Sequence, residues 1–172
     1  GRLFTTEAWS AGGFSNDEAN GVAVLADEAS FVIAKTVIGR FSWSSNTNSI
    51  IEGVTTADTI ELAKQDFNGQ ANTALIPGGA AEACKAYIFP NGKAGYLPSF
   101  GEWDIVYKNK EKVGSALSLI GASWLSIYSW SSTQKDASSA WNYTMSNGSG
   151  NDFSKMAYSP GQYHETRAFT TL

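Results

Sequence analysis

The chain has 172 residues, 42% of them hydrophobic, and a net charge of -4 at pH 7, which suits one compact domain with its own core. Charged residues make up only 16%, below the usual quarter. No Lys/Arg cluster offsets the acidic balance, so a grip on phosphate backbones is excluded and no nucleic-acid partner is expected. No run reaches the roughly 20 apolar residues of a membrane-crossing helix, so no membrane insertion is expected.

In chain order, the opening "GRLFTTEAWS" holds neither an apolar signal core nor an initiating Met, and we read this end as processed, trimmed or fused. "GVAVLADEASFVIAKTV" gives two short β-runs, Val22–Leu25 and Phe31–Ala34, around polar "ADEAS", which predicts a hairpin. "RFSWSS" reads as a further strand or an aromatic loop, and "SSNTNS" as an exposed turn. A helix is predicted in "TTADTIELAKQDF", started by Thr56 or Asp58 and ended by the "NG" at 68–69. "GGAAEACKAYIF" predicts a second helix, stopped by "PNG" at 90–92. In "LPSFGEWDIVYKNKEKV", Ser99 and Glu102 make a capping box, and Phe100, Trp103, Val106 and Tyr107 form one apolar helical face. "VGSALSLIGAS" reads as a short helix ended by Gly121. From Trp124 onward the helical period disappears. "SIYSWSST", "SAWNYTMSN" and "QYHETRAF" read as strands joined by turns at "NGSGND" and "SPGQ".

The usual equipment of an enzyme is sparse. Cys84 is the one cysteine, so neither an intrachain disulfide nor a cysteine-built zinc site is possible, and it reads as a small buried apolar residue. His164 is the one histidine and reads as a surface residue. There is no G-x-S-x-G elbow, P-loop or H-E-x-x-H motif. Glu102 and Asp104, two apart on a helix, point in different directions and are poorly placed to share a substrate. Asp136, Asp152 and Glu165 do not form a dense oxygen-ligand run, so no metal and no cofactor is expected.

The segment from Trp124 to Phe169 holds nine of the 22 aromatics, spaced by Ser, Asn, Gly and Tyr, with balanced charges. Disordered tails are poor in such rings. Composition leaves two readings open: a recognition surface of rigid rings and adaptable small polar groups, or a turn-rich sheet with ordinary exposed Ser and Asn.

The ordered series "GYLPSFGEWDIVYKNK", "YSWSSTQKDASSAW", "SNGS", Lys155 and "TRAF" resembles the C-type-lectin-fold variable proteins of diversity-generating retroelements, the gut bacterial and phage group in particular. The similarity runs from about Gly21 to Leu172 and is best from Gly95 onward. The resemblance implies an α+β, C-type-lectin-type fold: one domain over residues 1–172, two helices flanking a twisted antiparallel sheet, and N- and C-terminal strands side by side. It implies a hypervariable ligand-binding region at about 124–169, rewritten by an error-prone reverse transcriptase at template adenines of AAY codons. Such codons reach Tyr128, Asn142, Tyr143, Thr144, Asn151, Asp152, Phe153, Tyr158, Tyr163 and His164, which are expected to form one contiguous exposed patch. They cannot reach Trp, Gln, Lys, Met or Glu, so Trp130, Gln134, Trp141 and Lys155 are expected to be scaffold; Met145, Met156, Gln162 and Glu165 need fixed or differently templated codons.

Phe100, Trp103 and Phe169 are expected to be buried together with Trp130 and Trp141. The use implied is receptor recognition or adhesion toward a protein or cell-surface ligand, at a cell surface or on a phage virion, without enzymatic activity. A lectin-fold enzyme of the formylglycine-generating type, or a structural virion or pilus component, is the alternative. Two departures stand out. Thr166 occupies the place where the resemblance leads us to expect Val, and the "EPN" and "WND" calcium motifs of animal C-type lectins are absent.

Overall fold

A computed structural model describes residues 2–156 and 164–172. They form a mixed α+β architecture of two sheets and six α-helices: α1 Thr6–Gly12, β1 Gly21–Leu25, β2 Ser30–Ala34, β3 Gly39–Arg40, α2 Ile60–Ala63, α3 Gly69–Leu75, α4 Gly79–Ala86, α5 Phe100–Lys108, α6 Lys110–Leu119, β4 Tyr128–Gln134, β5 Ser139–Thr144, β6 Ser149–Ser154, β7 Glu165–Thr166 and β8 Phe169–Thr170. The first sheet runs β1-β2-β8 and the second β3-β7-β4-β5-β6.

The hairpin read from the sequence is present. Val22 faces Ile33 and Val24 faces Phe31 across an antiparallel ladder. The alternation buries Val22, Val24, Phe31 and Ile33 on one side. The chain's ends meet as expected, because β8 pairs antiparallel with β2 through Val32–Thr170 and Ile33–Phe169. The Phe169 ring stacks on Phe31 at 4.6 Å and meets Trp103 edge-on at 4.8 Å, joining the first sheet to α5.

Helix α5 begins where Ser99 and Glu102 place it. The Glu102 carboxylate accepts the Ser99 backbone N–H at 2.7 Å, satisfying a donor that the first turn cannot. Phe100, Trp103 and Val106 then pack into a core shared with Val113 and Leu117 of α6 and with Trp141 and Tyr143 of β5. A second core gathers Trp43, Ile76, Cys84, Phe89, Leu97 and Trp130. Phe100, Trp103, Trp130, Trp141 and Phe169 are all buried, as expected.

Four expectations need correction. There are six helices and two sheets among the described residues rather than two helices on one sheet, and β4 meets β7 in parallel at Ser129–Glu165. The helix expected over 55–67 is one turn, capped by Thr59, because residues 51–57 are drawn out against β4: Gln134 N–H donates to Thr55 O and Ala57 N–H donates to Gln134 O. The "NG" at 68–69 starts α3 instead of ending a helix. In the same way "NGSGND" is not all turn. The turn occupies residues 145–148, closed by Gly148 at φ 69°, and Ser149 already belongs to β6.

Candidate ligand-binding face

The second sheet carries the segment singled out by the sequence. Its registers set Tyr128 beside Thr144 and Thr144 beside Ser149; they set Trp130 beside Asn142 and Asn142 beside Asn151; and they set Gln134 beside Ala140 and Ala140 beside Phe153. Directly opposed residues share a face. Tyr128, Asn142, Thr144, Asn151 and Phe153 therefore lie on one side. His164 joins them, its ring 4.2 Å from Phe153, 4.6 Å from Trp130 and 6.5 Å from Tyr128.

A short relay of polar groups holds this face. Asn151 N–H donates to Asn142 Oδ1 at 3.1 Å, which turns the Asn142 amide nitrogen toward His164 Nδ1, 2.8 Å away. The amide must then donate and Nδ1 accept, so the imidazole proton sits on Nε2. Burial pushes the His164 pKa down to about 4, keeping the ring neutral. Among the described residues, Nε2 is buried without a hydrogen-bond partner, as is Thr144 Oγ1.

The face is less open than the sequence suggests. Tyr128 is 39% exposed, and Asn151 is exposed and Phe153 half-buried. Asn142 and Thr144 are buried, and so is His164, contrary to the expectation of a wholly exposed patch. The reason is that Asn142 and His164 satisfy each other, and the His164 ring is enclosed by Trp130 and Phe153. Tyr143 is a further correction. It points to the opposite side, packs on Phe100 at 4.9 Å and donates its hydroxyl to Asp104 Oδ1 at 2.8 Å, so it is a core residue. Asp152 shares the Trp141 side of the sheet and pairs with Lys135 at 3.0 Å. Tyr158 and Tyr163 lie outside the described residues.

Beside and beneath the face lies a polar frame that is almost wholly buried. Lys155 has no exposed surface; its ammonium donates to Ser49 O at 2.9 Å and Gln134 Oε1 at 3.0 Å, and lies 5.1 Å from the centre of the Trp43 ring. Burial lowers its pKa. The Gln134 amide in turn donates to Ile51 O, Val54 O and Thr56 Oγ1. Trp141 Nε1 donates to Ala57 O and Trp130 Nε1 to Phe41 O. A buried amide or ammonium is tolerated only when so paired.

Sequence reasoning missed the centre of this frame. Asp66, 1% exposed, accepts from Thr133 Oγ1 at 2.6 Å, Asn72 Nδ2 at 2.9 Å, Asn68 N–H at 2.9 Å and Thr55 Oγ1 at 3.1 Å. It ties the loop, α3 and β4 together. An Asp in "KQDFNG" gives no sign of burial, since that string reads equally well as a solvated helix end.

Cys84 is sealed in the second core, where burial pushes its thiol pKa up and disfavours the reactive thiolate. Among the described residues, no group of three or more His, Cys, Asp or Glu side chains is placed to hold a metal. No helix among them is long and apolar enough to cross a membrane. No protein-family model matches the chain, and no curated protein matches it.

Proposed function

We propose that the chain is a ligand-binding protein used in receptor recognition or adhesion, on a C-type-lectin-type fold, with a face diversified as in the retroelement variable proteins it resembles. One observation carries this reading. Of the singled-out AAY-reachable positions that are described, all but Tyr143 and Asp152 share one side of the second sheet. Fixed Trp130 and Gln134 lie on that same side and fixed Trp141 on the other, all of them buried, as is Lys155. Tyr128, Asn151 and Phe153 reach solvent there, which fits a scaffold that tolerates change at one surface while its stability is held by the buried residues. Tyr128 and Phe153 would be the aromatic anchors of contact, with Asn151 supplying adaptable hydrogen bonds. The partner would be a protein or cell-surface ligand, met at a cell surface or from a phage virion.

The test is a display library varying Tyr128, Asn142, Thr144, Asn151, Phe153 and His164 together. It should remain largely folded, yield binders against bacterial cell surfaces, and change Asn142 and His164 as a pair. A library in which most members unfold would refute the reading. At the genomic level, a near-copy of the coding segment for about 124–169 beside a reverse transcriptase gene is the expected companion.

A further inference from the structure

β1 is an edge strand, paired with β2 on one side and with no strand among the described residues on the other. Its sequence, Gly-Val-Ala-Val-Leu, holds none of the devices that usually protect an edge: no Lys, no Pro, no inward charge. The free side opens into a groove of about 820 Å³ that runs along Gly21–Leu25. One wall is α6, through Val113, Ala116 and Ile120; the other is the amino-terminal arm, through Phe4 and Trp9. That arm is held lightly. Helix α1 buries no residue; Phe4, Trp9 and Phe14 pack on one another at 4.7–5.8 Å, and of these Trp9 also reaches the main core.

The side-chain charges in the groove are lopsided. Arg2 and Lys112 line it and make no ion pair among the described residues, Arg2 lying over the Phe4 ring at 5.2 Å. Glu18 also lines it but is turned back to accept the Ser15 N–H at 2.7 Å. An acyl chain would satisfy the apolar walls yet leave the outward N–H and C=O groups of β1 unmatched. A second copy of this edge would bring a second pair of like cations.

We propose that this groove takes an extended peptide segment of a partner protein, added as a strand to β1, with alternate apolar side chains and a flanking carboxylate for Arg2 and Lys112. The site belongs to the first sheet and stands apart from the variable face, so it would serve a constant partner whatever the face has become.

The probe is the peptide acetyl-Asp-Val-Thr-Val-Thr-Val-amide, titrated calorimetrically into the intact chain, with amide hydrogen exchange as second readout. Saturable one-to-one binding is expected, with exchange at Gly21–Leu25 slowed at least tenfold. The same peptide N-methylated at alternate residues should not bind, because it cannot complete the ladder. Lys112→Glu, at an exposed position, should weaken binding several-fold without changing the melting temperature. Absence of binding at millimolar peptide would overturn the proposal. So would equal binding of the N-methylated peptide, or displacement of the peptide by decanoate with no protection of β1, either of which would make the groove a reader of apolar surface alone.

Discussion

Asn142 Nδ2 sits 2.8 Å from His164 Nδ1, and this contact decides which imidazole nitrogen carries the proton. With the amide donating, Nδ1 is an acceptor, and burial holds the ring neutral down to about pH 4. Asn142→Asp would replace the donor by a carboxylate, move the proton to Nδ1 and stabilise the imidazolium. An opposite charge at such range raises a histidine pKa by about 1–3 units. NMR titration of the His164 ring should show that rise; an unchanged pKa would contradict the contact.

Glu102 gives stability the opposite dependence on pH. Burial, against the pull of its bonds to Ser99 N–H and Tyr96 OH and aided by the charge of Asp66, raises its pKa to about 7. The folded state then holds a proton that the unfolded chain has released, so stability falls as pH rises from about 4.5 to about 7. His164, depressed in the fold, loses stability as pH falls from 6.5 toward 4. Chemical denaturation across pH should show both slopes, and Glu102→Gln should remove the first while leaving the second.

Thr166 is buried, and its hydroxyl has no hydrogen-bond partner among the described residues. The side chain carries an oxygen that gains nothing there. Thr166→Val should stabilise the fold by about 1 kcal/mol, the lower end of the cost of an unpaired buried polar group. Urea midpoints would check it, and a loss of stability would mean that the hydroxyl is satisfied in solution.

Core and face should separate under truncation. Trp141→Ala and Tyr143→Ala are expected to cost about 3–5 kcal/mol, since both rings are buried and anchored, to Ala57 O and Asp104 respectively. Asn151→Ala and Tyr128→Ala should change stability by only about 0.5 kcal/mol, while Tyr128→Ala weakens ligand binding. Parallel thermal melts and cell-binding assays decide this, and a Tyr128→Ala variant that unfolds would remove that residue from the face.

What could be read from the sequence was what has a local cause. The β1–β2 hairpin announces itself by apolar runs around a polar turn, and α5 by Ser99 and Glu102. The elements that were misread depend on distant groups. Gly69 looks like a helix terminator, yet a Cβ there would lie 2.1 Å from Glu102 Oε2 and 2.8 Å from the Tyr96 ring, so the glycine answers to packing. β6 has no apolar alternation because part of it is exposed.

Strand β4 could be read as a strand from its sequence, but the burial of its small polar residues could not. Ser131, Thr133 and Gln134 are buried because each finds an internal partner: Trp141 O, Asp66 and the 51–56 loop. Burial of Asn142 and His164 has the same origin. No single-residue scale can express a polar group whose partner lies 10 or more positions away.

The pairing of β8 with β2 brings Phe169 and Thr170 against Ile33 and Val32. During synthesis the first sheet therefore cannot close until Phe169 and Thr170 have left the ribosome. Residues 124–168 fall in sequence between β2 and β8 and are made before that closure. Contacts of such long sequence separation form slowly, so a change within those residues is tried first in the nascent chain, before the first sheet is complete.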